Sequence, residues 1–364
     1  MLKVVELFAG IGAQAQALKD ANIEHEIVAI SEIDKYALKV YEALHGKPNN
    51  LGNIKEIEVL PTADLWTYSF PCTDISLAGQ MRGFDRDSDT GSSLLWEVER
   101  LINNAAIKGN LPKYLLMENV KNLVSKRFIG LFNEWKSFLE SHGYRNYYQV
   151  LNAKDYGIPQ NRERVFMVST LDTKNYIFPT KIKLENKLND YLEKHVSEKY
   201  FLSERLIRNL SDTNDRNGFI RGNRFRLHDE NSEYAYTIST CPGSRATDNF
   251  IMVPQKTKQG YALAHVGDGI YTNRTHQKRG VVQKNMIPTL KTSPNDIGVV
   301  VDKDDLISIR RLTPRECWRL MGWNDNCIDV VLSSGTSDTQ LYKMAGNSIV
   351  ISCLQNLLIM LMRI

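Results

Sequence analysis

Short apolar runs alternate with amphipathic stretches over the first 170 residues of the chain. The apolar runs predict five buried strands, and apolar residues spaced three and four apart predict the helices between them. This alternation is typical of βαβ units, so the sequence predicts an α/β fold with a doubly wound, mostly parallel sheet and helices on both faces. The predicted strands cover 4–9, 27–31, 63–69, 114–119 and 165–169, and the predicted helices cover 12–20, 35–44, 94–106 and 128–141.

The pattern changes after about residue 172. The chain becomes rich in Asn, Thr, Arg and Gly, and its apolar runs become short and β-like. We therefore predict a second, smaller domain rich in loops and strands, followed by a C-terminal segment that returns to the first domain. The predicted bounds are 1–180 for the first domain, 181–305 for the second and 306–364 for the C-terminal segment.

Two helices are predicted in the C-terminal segment. One begins with Thr313 as its N-cap, Pro314 at the first helical position and Glu316 three residues beyond the cap. The other, over 350–362, is apolar on most faces. Such a helix needs a buried position, so we expect it to pack on the first domain.

Composition narrows the class of protein. Hydrophobic residues make up 42% of the chain and charged residues 24%, as in a soluble globular protein. The five cysteines include no CxxC pair, which argues against both a disulfide framework and a metal cluster. No basic leader precedes a long apolar run, and no run of about 18 uninterrupted apolar residues occurs. We therefore expect a cytoplasmic protein with no bound metal and no membrane contact.

Charge separates the second domain from the rest of the chain. Residues 181–300 carry 19 lysines and arginines against 13 acids, a net charge of +6, although the whole chain carries only +4. A basic domain joined to a mildly acidic body suggests a catalytic domain next to one that contacts a polyanion. An ordinary solvated surface explains the same charge, and charge alone does not choose between the two interpretations.

The turn after the first predicted strand has features of a cofactor site. Gly10 and Gly12 allow the backbone to approach a ligand closely, and Glu32 follows the second strand about 20 residues later, where a carboxylate binds ribose hydroxyls. The spacing lacks the third glycine of the dinucleotide fingerprint, so it favours a nucleoside cofactor without a pyrophosphate. The alternative is a plain turn with a glutamate that caps a helix.

Two further strand ends carry reactive side chains. Cys72 follows the 63–69 strand directly after Pro71, and Glu118 ends the 114–119 strand. A nucleophile and an acid at neighbouring strand ends make a reaction centre, although a cysteine at such a position is also a common buried small residue. Arg162 and Arg164, two residues apart on an extended segment, point the same way and could hold a phosphate or a carbonyl group.

Seven segments of the chain, taken together and in their order along the sequence, resemble the cytosine-C5 DNA methyltransferases of bacteria and phage, which depend on S-adenosylmethionine. The resemblance covers about 1–170 and 309–364, whereas 181–300 matches only in position and in the pair Thr289 and Leu290. The matching segments are FAGIGA (8–13), SEID (31–34), DLWTYSFPC (64–72), MENVKN (117–122), LNAKDYGIPQNRERVF (151–166), RRLTPRECWRLMGW (310–323) and YKMAGNSIV (342–350).

The resemblance implies a Rossmann-like methyltransferase fold with a target-recognition domain. It implies transfer of a methyl group from S-adenosylmethionine to C5 of a cytosine flipped out of a specific duplex DNA sequence. Cys72 would be the nucleophile that bonds to C6, and Glu118 the acid at N3. Arg162 and Arg164 would orient the base and support the catalytic loop. The implied cofactor-binding positions are Phe8, Gly10, Ile11, Gly12, Glu32, Ile33, Asn53, Ile54, Pro71, Leu94, Asn347 and Ile349.

Some positions depart from the family pattern. Thr73 stands where a glutamine is usual, and Ala13 where a glycine is usual. Ile33 replaces a bulky aromatic residue under the adenine, and Asn53 replaces an aspartate that accepts from the adenine amino group. The amide oxygen of Asn53 can still accept that hydrogen bond.

DNA contacts are expected in two regions. The polar loop over 76–92 follows Cys72, and we expect it to close over the flipped base. In the second domain two basic clusters are expected to contact the major groove, and Thr289 the DNA backbone. The predicted DNA-binding residues are Ser76, Gly79, Arg82, Arg221, Arg224, Arg226, Arg274, Lys278, Arg279 and Thr289.

The expected partner is double-stranded DNA, with a cognate restriction endonuclease of the same system as a second candidate, and we expect a monomer. Two alternatives remain open from sequence: a tRNA cytosine-C5 methyltransferase and a DNA-binding relative without catalysis. A nicotinamide oxidoreductase is disfavoured because the glycine fingerprint is incomplete.

Overall fold

The computed structural model describes most of the chain. For the segments 226–229 and 249–254 it describes the backbone only. The described residues are 1–75, 83, 90–201, 226–229, 249–254, 261–272, 280–292, 297–303 and 306–364.

A six-stranded sheet forms the centre of the first domain, in the strand order β2-β1-β3-β4-β7-β5. The four strands from β2 to β4 are parallel, whereas β7 runs antiparallel to both of its neighbours. The strands are β1 (Leu2–Leu7), β2 (His25–Ser31), β3 (Leu65–Tyr68), β4 (Tyr114–Val120), β5 (Arg145–Asn152), β6 (Gln160–Asn161) and β7 (Glu163–Thr170), and β6 lies outside this sheet.

Helices cover both faces of the sheet because successive strand residues point to opposite sides. Val5 and Leu7 pack in one apolar cluster with α3 and α4, and Val4 packs in another with α1 and the C-terminal helix. Asp34 caps α2 by accepting a hydrogen bond from the backbone N–H of Tyr36. The helices are α1 (Ala13–Asp20), α2 (Lys35–His45), α3 (Leu95–Ile107) and α4 (Ile129–Ser141).

The second region contains short antiparallel sheets. One has the order β10-β9-β8 and another the order β12-β11-β14-β15, and β13 pairs with β6 of the first domain. The strands are β8 (Arg226–Asp229), β9 (Asn249–Pro254), β10 (Tyr261–Ala264), β11 (Gly269–Tyr271), β12 (Val282–Gln283), β13 (Ile287–Pro288), β14 (Ile297–Lys303) and β15 (Leu306–Arg310).

Four helices complete the chain, and the last packs against α1. The stretch Asp338–Leu361 contains a window of 18 residues that is apolar enough to cross a membrane, with a mean hydropathy of 1.6, yet 67% of that window is buried inside the protein. These residues therefore form part of the hydrophobic core of the protein. The helices are α5 (Pro314–Arg319), α6 (Asp325–Ser333), α7 (Asp338–Asn347) and α8 (Ile351–Leu361).

The predicted α/β class with a mostly parallel sheet is confirmed, and the predicted strands and helices of the first domain lie within two residues of the observed ones. The strand β5 was not predicted because it is a half-exposed edge strand with little apolar pattern. Only residues 153–162 connect β5 to β7, which is too short for a helical crossover, so β7 returns antiparallel.

A buried ion pair fixes the start of the C-terminal segment. Arg310, at the end of β15, lies 2.7 Å from Glu316 of α5, and both side chains are almost fully buried. Glu316 also accepts from the backbone N–H groups of Thr313 and Glu193, so its carboxylate joins three segments.

We predict that Glu316→Gln lowers the free energy of unfolding by about 3–5 kcal/mol, because it leaves the Arg310 charge buried without its counter-ion. Urea unfolding measures the loss. The matched control is Glu97→Gln, whose partner Arg100 is 36% exposed and keeps its hydrogen bonds to the Ile54 and Ile57 carbonyls, and this variant should cost at most about 1 kcal/mol. Equal losses in the two variants would contradict the prediction.

Candidate active site

The register of the main sheet places three of the predicted site residues in one row. Leu7 pairs with Ser31 on one side and with Tyr68 on the other, and Tyr68 pairs with Met117. The residues that follow these partners, including Phe8, Glu32 and Glu118, therefore lie at the same carboxyl edge of the sheet. In an open α/β sheet this edge is where ligands bind.

Cys72 lies in a loop four residues beyond the end of β3, and hydrogen bonds hold this loop on both sides of the thiol. The side chain of Asn119 donates to the Phe70 carbonyl at 2.9 Å. The hydroxyl of Ser92 donates to the Pro71 carbonyl at 2.7 Å, and the side chain of Asn122 donates to the Ile75 carbonyl at 2.6 Å. These three residues were not predicted as functional, because a hydrogen bond from a side chain to a backbone carbonyl leaves no pattern in the sequence.

A buried carboxyl and a partly buried guanidinium form the electrostatic centre of the site. Glu118 is 8% exposed, and its Oε1 lies 3.2 Å from Nε of Arg164. Burial raises the pKa of Glu118, while Arg164 and Arg162 lower it and a hydrogen bond from Ser69 lowers it further. The desolvation dominates, so the Glu118 carboxyl holds a proton more readily than an exposed glutamate.

The Cys72 thiol is affected by the same charges. Burial raises the pKa of Cys72, Arg164 lowers it, Glu118 raises it and Arg162 lowers it. The structure thus brings together the four residues predicted to be catalytic. Since the thiolate is the nucleophilic form, this environment leaves Cys72 mostly protonated at neutral pH before a ligand arrives.

Arg162 donates hydrogen bonds to backbone carbonyls of three residues that are distant in the sequence. Its guanidinium donates to the carbonyl of Leu290 at 2.8 Å, of Gly346 at 3.0 Å and of Ser348 at 2.7 Å. Burial lowers the pKa of Arg162 to about 9, which still leaves it charged at neutral pH. Of the two arginines, Arg164 pairs with Glu118 and Arg162 ties separate segments together.

The packing beside Arg162 is close. A Cβ added to Gly346 would lie 2.1 Å from the carbonyl carbon of Lys291, so only glycine fits there. Gln160 accepts from the Leu290 N–H at 3.0 Å and donates to the Leu320 carbonyl at 2.7 Å. Thr289 donates through its hydroxyl to the Asn161 carbonyl at 2.7 Å. The 287–292 segment is therefore fixed on the first domain.

The glycine turn after β1 is shaped by left-handed backbone. Phe8, Gly10 and Gly12 all have positive φ angles of 58°, 58° and 76°. A side chain at Gly12 would collide with His45 and Tyr41 of α2, whereas the space beside Gly10 is open. The turn therefore packs on α2 at Gly12 and leaves room for a ligand at Gly10.

Glu32 holds the turn and the start of α2 with one carboxylate. Its Oε2 accepts from the Gly10 N–H at 2.7 Å, and its Oε1 accepts from the N–H groups of Ile33 and Asp34. Each carboxylate oxygen has several lone-pair positions, so Oε2 retains capacity for a ligand hydroxyl. Glu32 thus accepts hydrogen bonds from the local backbone and can still accept one from a ligand.

The remaining predicted cofactor positions surround this edge. Asn53 accepts from the Lys55 N–H and so caps a short 3₁₀ helix that begins at Ile54. Ile54 is buried in an apolar cluster against which Phe8, Leu94 and Cys72 pack. Ile33 is 75% exposed and so is available to a ligand. The other positions lie beside Cys72 (Pro71), inside the turn (Ile11) and at the end of α7 (Asn347 and Ile349).

Most of the predicted DNA-binding residues lie outside the described part of the chain, and only the backbone of Arg226, in β8, is described. Among the described residues, no group of three His, Cys, Asp or Glu side chains is arranged to hold a metal ion. The residues that lie outside are Ser76, Gly79, Arg82, Arg221, Arg224, Arg274, Lys278 and Arg279.

A cysteine beside a buried acid, at the ligand-binding edge of a doubly wound sheet, is typical of an enzyme that transfers a group by covalent catalysis. The particular family follows from comparison. The sequence model described as C-5 cytosine-specific DNA methylase matches residues 2–362. The chain belongs to this family and is a DNA cytosine methyltransferase.

Relatives of known function span almost the whole chain. A type II methyltransferase of Lactococcus lactis subsp. cremoris, M2.ScrFI, is 35% identical, and the match covers 98% of both proteins. The orphan methyltransferase M.SPRI of Bacillus phage SPR is 30% identical over 98% of this chain and 96% of its own.

Solved structures agree on the fold. The Entamoeba histolytica methyltransferase EhMeth superposes with a TM-score of 0.65 at 18% identity, covering 100% of this chain and 98% of that one. The S. pombe Dnmt2 methyltransferase gives a TM-score of 0.60 at 19% identity, covering 100% and 99%.

We predict that Arg164→Met moves the alkylation of Cys72 to higher pH. Arg164 lowers the Cys72 pKa more than Glu118 raises it, so removal of the guanidinium raises this pKa even if Glu118 becomes neutral. At a fixed pH below the pKa, less thiolate is present and alkylation is slower. Mass spectrometry of the Cys72 peptide after iodoacetamide treatment across pH measures the profile. The control is Lys121→Met, which removes an exposed cation paired with Glu163; a profile for Arg164→Met that coincides with it would refute the assignment.

Proposed function

We propose that the enzyme transfers a methyl group from S-adenosylmethionine to C5 of a cytosine flipped out of duplex DNA, through a covalent bond between Cys72 Sγ and C6 of the base. The observation that carries the proposal is the Cys72 thiol held beside the buried Glu118–Arg164 pair at the carboxyl edge of the sheet. Neither an ordinary structural cysteine nor a surface ion pair calls for this arrangement.

The chemistry explains why both groups are needed. C5 of cytosine is a poor nucleophile, and addition of the Cys72 thiolate at C6 makes it enamine-like. The addition pushes negative charge onto the ring, so N3 must receive a proton or a strong hydrogen bond. A Glu118 carboxyl whose pKa is raised by burial can supply it. After C5 has taken the methyl group, a bound water or a side chain accepts the C5 proton, and the electrons of the C5–H bond re-form the C5–C6 double bond and expel Sγ as the thiolate.

Arg164 has two roles in this scheme. Its charge keeps the Glu118 carboxyl oriented and lowers the Cys72 pKa toward the range in which thiolate is available. Arg162 supports the same site indirectly, since its guanidinium is committed to carbonyls on either side of Asn347 and at Leu290. We therefore propose that Arg164 orients the base through Glu118, and that Arg162 supports the site.

The cofactor site fits S-adenosylmethionine, which supplies an electrophilic methyl group when bound. The open space at Gly10 would let the cofactor lie close to the protein backbone. Glu32 Oε2 retains capacity to accept a hydrogen bond from a ribose hydroxyl. The exposed Ile33 would pack on the adenine, and the amide oxygen of Asn53 would accept from its amino group. The absence of a pyrophosphate in this cofactor agrees with the incomplete glycine fingerprint.

Duplex DNA is the proposed substrate, with the target base entering from the side of Thr289. A base must leave the stack to expose C6, at a cost of a few kcal/mol. We further propose that the protein acts as a cytoplasmic monomer. The relatives that are named type II methyltransferases favour a restriction endonuclease as a genetic partner.

The test is a covalent trap. A duplex that contains 5-fluorocytosine in its target sites cannot lose fluorine from C5, so wild-type protein with S-adenosylmethionine should form an adduct that survives denaturing electrophoresis. Fragmented host DNA modified with the analogue provides all sequences at once. Wild-type protein that methylates this DNA without any adduct would overturn the covalent mechanism.

We predict that Cys72→Ser abolishes the adduct and lowers methyl incorporation by about 10³-fold or more, as expected for loss of a covalent nucleophile. The control is Cys327→Ser in α6, a half-buried cysteine outside the site, which should retain wild-type activity. A tRNA transcript is assayed in parallel, and methylation of tRNA in preference to DNA would overturn the proposed substrate.

A further inference from the structure

The two ends of the 76–89 segment are joined by a reciprocal pair of hydrogen bonds. The backbone N–H of Asp74 donates to the Ser92 hydroxyl at 3.3 Å, and the backbone N–H of Ser92 donates to Asp74 Oδ2 at 3.4 Å. Asp74 is 1% exposed and Ser92 is fully buried. The same Ser92 hydroxyl donates to the carbonyl of Pro71, the residue before Cys72.

Packing at the same place supports the connection. A Cβ added to Gly91 would lie 3.3 Å from the Thr73 hydroxyl and 3.4 Å from Cβ of Pro71, so the short 3₁₀ helix that begins at Gly91 lies directly against the cysteine loop. The Thr73 hydroxyl donates to Asp74 Oδ2 at 3.0 Å. Asp74 Oδ2 therefore accepts one hydrogen bond from Thr73 in the cysteine loop and another from Ser92 in the facing segment.

A second link joins the same ends through Gly83. Its backbone N–H donates to the Asp74 carbonyl at 2.9 Å, and its carbonyl accepts from the Thr90 hydroxyl at 3.1 Å. The residues on either side of the 76–89 segment are thus connected twice, directly and through Gly83. The Cys72 backbone lies inside this network, since Asn119 holds Phe70 on its other side.

We propose that Ser92 and Asp74 are positioning residues that fix the Cys72 thiol for attack on the base. The inference rests on the proposed covalent function and adds two residues to it. Reacting atoms must be held about 3–3.5 Å apart and aligned, and a misplacement of 1 Å costs about 10²-fold in rate. Ser92 holds the peptide before Cys72, and the Asp74 carboxylate joins the side chain of Thr73, the residue after Cys72, to the backbone of Ser92, so their bonds restrict the loop that carries Sγ.

The first test compares Ser92→Ala with Ser93→Ala. Removal of the Ser92 hydroxyl frees the Pro71 carbonyl and the Asp74 N–H, whereas the Ser93 hydroxyl donates only to Thr90 within its own turn. Single-turnover adduct formation on the 5-fluorocytosine duplex should slow by about 10–100-fold in Ser92→Ala and by less than about twofold in Ser93→Ala. Affinity for S-adenosylmethionine and for DNA should stay near the wild-type value in both variants.

The second test uses Asp74, and it stays informative if Ser92→Ala folds poorly. The two donors meet on the same oxygen of Asp74, so Asp74→Asn keeps an acceptor for both, while Asp74→Ala removes it. We expect Asp74→Asn to retain most of the wild-type rate of adduct formation and Asp74→Ala to lose it at unchanged cofactor affinity.

The outcomes separate this inference from the proposed function. A wild-type protein that forms no adduct overturns both. A wild-type adduct together with equal rates in Ser92→Ala, or together with equal losses in Asp74→Asn and Asp74→Ala, overturns the positioning role alone. A loss in Ser92→Ala that is fully explained by weaker cofactor binding also overturns it.

Discussion

The buried guanidinium of Arg162 is the interaction on which the architecture of the site depends. A charge removed from water needs hydrogen bonds in place of its hydration, and three backbone carbonyls accept from the two terminal nitrogens of Arg162. These carbonyls belong to segments 128 to 186 residues away in the chain. The need to satisfy one cation therefore brings the edge of the sheet, the segment after β13 and the end of α7 to one point. Both the proposed cofactor side and the proposed DNA side of the site are built on that point.

Arg164 differs from Arg162 because it pairs with a side chain instead of with backbone carbonyls. Arg164 satisfies its charge on a side chain, Glu118, and so remains coupled to the chemistry. Burial acts in the same direction on Glu118 and Cys72 because both are acids: it favours their protonated forms. For Glu118 this suits a proton donor, but for Cys72 it opposes thiolate formation. Arg164 acts more strongly on the thiol than the neighbouring carboxylate does and so reduces this opposition, while burial still keeps the Cys72 pKa above its ordinary value.

Apolar periodicity was sufficient to predict the first domain because its strands are buried on both faces and its helices on one. Val4, Val5 and Leu7 show how a strand buried on both sides appears as a continuous apolar run. The edge strand β5 and the direction of β7 were not predictable in this way, since an exposed edge has no such run and direction depends on connection length. Cys72 and Glu118 could be predicted because Cys72 follows a recognisable strand and Glu118 lies near the end of one. Asp74, Ser92 and Asn119 could not, because their function is a hydrogen bond to backbone, which leaves no pattern in the sequence.

Gly346 has a consequence for exchange of the target-reading region between relatives. The backbone of Lys291 and Thr292 occupies the space where any other residue would place its side chain, so this stretch and α7 are complementary in shape. A chimaera that imports a foreign region ending inside 287–292 would replace half of that complementary pair. A crossover point placed before Ile287 keeps the native pair intact. The position of a workable crossover therefore depends on the steric fit at Gly346 more than on where the domain is said to end.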